Sequence, residues 1–325
     1  MNESAKTILA LGALSVAMAM PMFMPHAFAA PTAGQSHFET PLRAVVALAE
    51  AVKKQDDTAL MTIFGTGAED ILHTEDPIQD RQALERFSTA LEQKIALIRL
   101  SDEVVELELG KDDWPFAIPL QHGEKGWYFD TEAGRDELLN RRIGANELHT
   151  LGVVRAYVEA QYEFAKDDPD GDGKADYADR LLSSEGKKDG LYWPAVEGQA
   201  ESPMGPLVAA AAAEGYRKAE SKEGNSYHGY HYRILKAQGD AAPGGKRSYL
   251  KDGELSSGFA LLAYPAEYGI SGIMTFIVNQ QGIVFQKDLG EDTQKLAAEI
   301  VAYDPGAGWM PTGDAFATAE DEAGE

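Results

Sequence analysis

Apolar residues recur at helical spacing from residue 42 onward, and the start signals stand just ahead of them. Thr40-Pro41 reads as an N-cap with proline at the first helical position, followed by Leu42, Val45, Ala49 and Val52 on one face of a helix that ends near Gln55. Asp57 can cap a second, short helix through Phe64. Asp76-Pro77 repeats the cap-and-proline signal before a third, whose Leu84, Phe87 and Leu91 share a face. The period then changes to two. Ile95 to Leu100 is an apolar run, Val105, Leu107 and Leu109 alternate with Glu106 and Glu108, and Trp114, Phe116, Ile118 and Leu120 alternate in turn. Pro115 and Pro119 fall on the other face of that last run and predict an edge strand. His122 to Gly126 reads as a hairpin loop, and Trp127 to Asp130 as the returning strand.

Three helices followed by a curved antiparallel sheet predict an α+β domain over residues 40–143, in an order like the cone-shaped NTF2-like fold, by analogy only. A basic, helix-prone stretch from Glu132 to Arg142 and a break at Gly144 lead into a second unit, residues 146–311. Its first element is a helix from about Asn146 to Lys166, with Leu148, Val153, Tyr157, Tyr162 and Ala165 available to a buried face. An acidic turn, Asp167 to Asp179, and a Gly- and Pro-rich stretch follow, with an alanine-rich helix from Pro206 to Tyr216 inside it. Strands are predicted at Tyr227 to Ala237, Gly258 to Tyr264, Ile273 to Asn279 and Ile283 to Lys287, then a helix from Thr293 to Val301. A long helix packed on an antiparallel meander is the arrangement of pilin-like domains, again by analogy. The acidic tail, residues 312–325, is expected to be disordered.

The start of the chain has a different pattern. Lys6 and the amino terminus precede an apolar run from Ile8 to Met20, too short to cross a bilayer core of about 30 Å. Pro21 and Pro25 stop it, and Ala27-Phe28-Ala29 supplies small residues at alternate positions. These are the parts of a secretory signal peptide, residues 1–29, cleaved after Ala29. The mature chain is then periplasmic or secreted, with residues 30–39 as a flexible leader. It has no cysteine, which excludes disulfides, thiolate metal sites and cysteine nucleophiles. The formal charge of −24 is unchanged by cleavage, because the leader carries only Glu3 and Lys6. Such a surface repels phosphate backbones and anionic headgroups, so no nucleic acid partner and no stable membrane insertion are expected.

Several long strings carry a resemblance: KDDWPFAIPL from Lys111, FDTEAGRDELLNRRIGANEL from Phe129, GLYWP from Gly190, GYHYRILKAQGDAAPGG from Gly229 and GFALLAYPAEYGISGIMTFIVNQQGIVFQKDLG from Gly258. With them the chain resembles the bacterial exported family called domain of unknown function 2950, over nearly all of its mature length. The resemblance implies export and a shared fold. It implies no activity, and no catalytic residue is carried over from it.

The densest candidate for chemistry is DPDGDGKADYAD. Counted from Asp168, carboxylates fall at positions 1, 3, 5, 9 and 12 with Gly173 at position 6, the spacing that wraps oxygens around Ca²⁺. Asp168, Asp170 and Asp172 would bind directly, Lys174 through its carbonyl, Asp176 through water and Asp179 last. Position 12 is the shorter Asp, position 8 is Ala175, and the loop stands alone, so a weak structural calcium site and a solvated acidic turn are the two readings. His228 and His231 fall on opposite faces of one strand and cannot share a metal. Gly239 to Ser248 lacks the lysine of a phosphate loop and reads as a turn. Asp112 and Asp113, beside Trp114 at the mouth of the first domain, are weak catalytic candidates that could hold a sugar or cation. The leading expectation is a non-enzymatic envelope protein that binds or assembles with an envelope protein or glycan. The alternative is a periplasmic hydrolase or isomerase with Asp112 or Asp113 as general base.

Overall fold

A computed structural model describes residues 31–169, 171, 173–196, 198, 200–214, 216 and 226–313. The expected signal peptide, Asp170 and Asp172 of the acidic loop, and all but the first two residues of the expected disordered tail lie outside the described residues.

The N-terminal helices form where their caps predict. Thr40 accepts from the Arg43 N–H at the start of α1 (Pro41–Lys54), which buries Ala44, Val45, Leu48, Ala51 and Val52. Helix α2 (Asp57–Phe64) is capped one residue earlier than expected, by Asp56, whose extended backbone lets its carboxylate accept from the Ala59 N–H at 3.0 Å. A short α3 (Glu69–Leu72) precedes α4 (Pro77–Gln93), capped by Asp76. Strands β1 (Ile95–Arg99), β2 (Val104–Leu109), β3 (Trp114–Gly123) and β4 (Gly126–Phe129) make an antiparallel sheet in that order. Its inner face is filled: Leu107, Leu109, Phe116, Ile118, Leu120 and Phe129 pack on Leu48, Ile63, Phe64 and Leu91.

Two expectations are corrected here. Strand β3 is interior, because β2 pairs with one side at Trp114–Phe116 and, across a register shift, at Leu120 and Gln121, and β4 pairs with the other from Leu120 onward. Pro115 and Pro119 sit where β4 does not reach, and their carbonyls accept from Arg141 (3.0 Å) and from the Asp130 N–H (2.9 Å) instead. The flexible leader is the second correction. Gln35 is buried, and its amide donates to the carbonyls of Ile63, Phe64 and Phe129, while Phe38 and Trp127 exchange backbone bonds at 2.8 Å. The segment from Thr32 to Glu39 is thus bound to the first core.

Helix α5 (Thr131–Asp167) runs without interruption through Gly144, where a break was expected. One glycine costs a helix about 1 kcal/mol, and packing on both sides outweighs that. Arg142 donates to the Asp70 and Ile71 carbonyls, Ile143 is buried, and Asn146 is 1 % exposed. Its first half covers the open side of β3. Its second half lays Val154, Tyr157, Val158 and Phe164 on a five-stranded antiparallel sheet.

That second sheet contains β5 (Tyr230–Leu235), β10 (Ala260–Pro265), β11 (Met274–Asn279), β12 (Phe285–Asp288) and β13 (Met310–Pro311), in the order β13-β12-β11-β10-β5. Between β5 and β10 the chain makes two small ladders, β6 (Ala237–Gln238) with β7 (Arg247–Ser248), and β8 (Leu250–Lys251) with β9 (Glu254–Leu255). These and α7 (Thr293–Glu299) cover the far face, where Leu235, Ala260, Leu262 and Ile277 meet Tyr249, Leu255, Ala297 and Tyr303. Burial on both faces explains why β10 reads ALLAY with no polar alternation. The protein is therefore mixed helix and antiparallel sheet, α+β, with a core around each sheet.

Candidate functional site

A cluster of titratable and aromatic side chains lies where the two halves meet, and Asp76 is its base. Although only 3 % exposed, this carboxylate accepts from the Gln79 N–H (3.0 Å), the Tyr216 hydroxyl (2.6 Å) and the Gly229 N–H (3.3 Å). The α4 N-terminus supports its charge, while Tyr216 follows α6 (Gly205–Ala213) and Gly229 leads into β5. Above it, His228 stacks on His149 of α5, with ring centroids 3.6 Å apart, and bonds Glu214 through Nε2 at 2.7 Å. Tyr227 meets both imidazoles edge-on. Asn146 closes the group, donating to the Ser271 carbonyl (2.8 Å) and bonding Gln79. A Cβ at position 229 would stand 2.7 Å from the Asn146 amide and 2.8 Å from Ser271, so only glycine permits this approach.

Burial, together with the aspartate beside it, pushes the Tyr216 phenol above its ordinary range, and burial followed by the nearby Glu214 and Asp76 does the same to Tyr227. Both remain hydrogen-bearing phenols. Burial, and then the facing His228, holds His149 below 6.5, against the weaker pull of Glu214. Such a histidine is more easily protonated in the unfolded chain, so stability is complete above the unfolded value and is lost as pH falls below it. Wild type is expected to lose stability as pH falls below about 6.5, a window that opens at the ordinary imidazole pKa. His149→Phe should keep the stack and flatten that slope. Half-buried Asp80 and Glu267, whose carboxyls are raised chiefly by desolvation, act in the opposite direction but equally in both proteins. Urea midpoints across the window decide it, and parallel slopes would exclude the histidine.

The acidic loop is partly closed by the protein's own groups. Asp168 terminates α5 with φ 44°, and its Oδ2 accepts from the Gly173 N–H at 3.0 Å. Lys174 pairs with Glu254. Asp176 is buried, and Gln161 pins Ala178, two residues on, through both of its backbone groups. Asp179 bonds Lys236 (2.8 Å) and Arg180 (2.9 Å); burial works to raise its carboxyl, but these cations outweigh burial and lower it. Asp179, the residue at position 12, thus already has two cations on it. Among the described residues, no group of three or more His, Asp or Glu side chains is arranged to hold a metal.

Asp112 and Asp113 lie in the exposed turn between β2 and β3. Asp113 is paired with Lys94, and Arg141 stands over the Trp114 ring at 4.8 Å, so these groups are occupied by the chain itself. His228 precedes β5 in a left-handed conformation, and His231 lies on β5 beside Tyr264. The two do not converge. The partner of His228 is His149, 79 positions earlier in the chain, and no local spacing could indicate that. The one visible signal was the density of rings in Tyr227-His228-Gly229-Tyr230-His231-Tyr232.

Shallow depressions of ≈ 320 and ≈ 270 Å³ lie on α4 and between α1 and α4, lined respectively by Gln82, Glu85, Arg86 and Thr89, and by residues including Val46, Ala49 and Leu91. Among the described residues no helix is long and apolar enough to cross a membrane. No curated protein and no solved structure is matched by the chain. Residues 35–312 match the family model described as Protein of unknown function (DUF2950), and with that match spanning most of its length the chain belongs to this family.

Proposed function

We propose that this protein is exported to the cell envelope and acts by binding or assembly, with its two α+β units held as one scaffold. The observation that carries the reading is the outer strand β1 with the residue that follows it, where Ile95, Leu97, Ile98 and Leu100 remain between 37 and 46 % exposed. Such a run of exposed apolar side chains along a sheet edge, on a highly charged surface, is a recognition feature. The rival reading, a hydrolase or isomerase, needs a carboxylate held in an apolar pocket. Asp113, paired with Lys94 in a turn, offers an exposed ion pair instead. The test joins compartment and contact. Envelope fractions should yield a mature chain beginning at Ala30, and a photocrosslinker at Ile98 should give discrete adducts there. Intact Met1 on membranes would remove export, and a turnover abolished by Asp113→Asn would transfer the site to the rival.

Calcium at the Asp168 to Asp179 loop remains part of this proposal, as a structural ion. With Asp179 engaged by Lys236 and Arg180, the ligands would be Asp168, Asp170, Asp172, the Lys174 carbonyl and Asp176, a set without the bidentate group that closes a tight site. The expected affinity is correspondingly weak. At tenfold the dissociation constant the gain is ~1.4 kcal/mol, a rise of a few degrees in melting temperature. Asp172→Ala should abolish this rise, and Mg²⁺ should not reproduce it. Equal responses of both proteins to both ions would mean only screening of the acidic surface.

A further inference from the structure

Strand β1 is the outer member of the first sheet, and its free side combines unpaired backbone with apolar side chains. The Leu100 N–H donates to Val104 and the Lys94 carbonyl accepts from Gly110, so even-numbered residues turn their backbone groups toward β2. By the alternation of an antiparallel ladder, the N–H and C=O groups of Ile95, Leu97 and Arg99 face outward. Among the described residues, no other window of six holds more than two exposed large hydrophobic side chains, and here there are four. Proteins usually blunt such an edge with lysines, proline or a bulge. Arg99 is the sole charge within β1, and it is tied to Asp102 at 3.7 Å.

The two faces of this edge differ. Ile95 and Leu97 stand opposite Leu109 and Leu107, extending the apolar inner face beyond the last strand, whereas Ala96 and Ile98 stand opposite Glu108 and Glu106 on the outer face. An added strand would therefore meet apolar groups on one face and a pair of carboxylates across the other, at a distance that lysine or arginine spans. We propose that β1 takes up an extended segment of an envelope partner whose apolar residues alternate with Lys or Arg, as a fifth strand of this sheet. Charge decides against a second copy. Self-pairing would bring two chains of net charge −24 together and set their Glu106 and Glu108 rows on the same face. The proposal rests on the binding reading above and specifies the partner and the mode.

The probe is a labelled nine-residue peptide of alternating Val and Lys, titrated into the mature protein by fluorescence anisotropy. Saturable binding is expected, at least tenfold weaker for the same peptide with Glu for Lys. A peptide N-methylated along one edge keeps its charge but loses its ladder donors, and it should also bind at least tenfold more weakly. Leu97→Lys should reduce binding of the parent peptide while leaving the melting temperature near that of wild type, since position 97 is exposed. Equal binding of the N-methylated or the Glu peptide would overturn the proposal. So would a concentration-dependent dimer, seen by sedimentation and abolished by Leu97→Lys, which would give the edge to a second copy. Crosslinked adducts from Ile98 without any peptide preference would overturn the basic-strand mode and leave the binding reading intact.

Discussion

Asp76→Ala is expected to lower the stability of the whole protein by about 3 kcal/mol, through loss of a helix cap and of two tertiary hydrogen bonds. The cap accounts for about 1 kcal/mol, as at an ordinary N-terminus. The remainder comes from burial. Removing the carboxylate leaves the Tyr216 hydroxyl and the Gly229 N–H facing an apolar methyl, and buried donors without partners cost about 1 to 3 kcal/mol. Because those donors come from the segments flanking β5, the effect should spread beyond α4 and raise hydrogen exchange at residues 226–230. Asp76→Asn should cost less, since it keeps one acceptor and a good capping residue, but its amide must meet a donor. Tyr216→Phe should cost about 1 kcal/mol alone and nearly nothing on top of Asp76→Ala, because the two groups share one bond. Urea midpoints for the single and double variants provide the measurement. Strict additivity, or a loss for Asp76→Ala no larger than that of an exposed cap, would show that the junction contributes nothing beyond the helix start.

The N-terminal unit was legible because its signals are local. Thr40 and Asp76 with their following prolines fix helix starts within a few residues, and the alternation at Val105, Leu107 and Leu109 fixes which face of β2 enters the core. Strands β5, β10, β11 and β12 were found within two or three residues for the same reason, whereas the two-residue strands β6 to β9 and β13 are too short to carry a periodic signal. What failed depended on groups distant in sequence. Gly144 reads as a break because its own propensity is poor, yet Arg142 and Asn146 anchor the helix on both sides of it to residues more than 60 positions away. Residues 32–39 read as a leader because they are small and polar, but Gln35 reaches the Phe129 carbonyl 94 positions on. Pro115 and Pro119 identified an unpaired stretch correctly and an edge strand incorrectly, since a helix occupies the place a strand would take. The candidate cluster was hidden most completely. Asp76 was visible only as a cap, and His149, Glu214 and Tyr216 have no motif, because stacking and burial arise after folding rather than from spacing. The acidic loop shows the opposite failing: its spacing is informative, but the competition of Lys236 for Asp179 is not written locally.

Gly134→Ala should destabilise the protein by about 2 to 3 kcal/mol, against the sign that helix propensity gives. In an exposed helix the same change stabilises by about 1 kcal/mol, because alanine restricts the unfolded chain and favours the helix. At position 134 a Cβ would stand 2.5 Å from the Ala117 carbonyl oxygen and 2.7 Å from both its carbon and the Ile118 Cα. All three atoms belong to the backbone of β3, in the short stretch between its pairings to β2 at Phe116 and Leu120, and Ile118 is held in the core at 1 % exposure, so the strand has little room to yield. The helix must move instead. A shift of about 1 Å, enough to restore ordinary contact distances, would disturb the Asp130 cap on Ala133, the Thr131 hydroxyl bond to Phe64 and the Arg141 contact with Pro115. The last of these closes the side of β3 that β4 leaves open, so the loss should reach the sheet as well as the helix. Gly144→Ala supplies the matched control. It lies in the same helix, nothing stands within 4 Å of its added Cβ, and it should stabilise by up to about 1 kcal/mol. Opposite shifts of the two urea midpoints are therefore expected from one chemical change ten residues apart. If both variants gained stability, α5 would not be seated against β3 as closely as Gly134 allows, and its continuous path between the two cores would lose its anchor at the first.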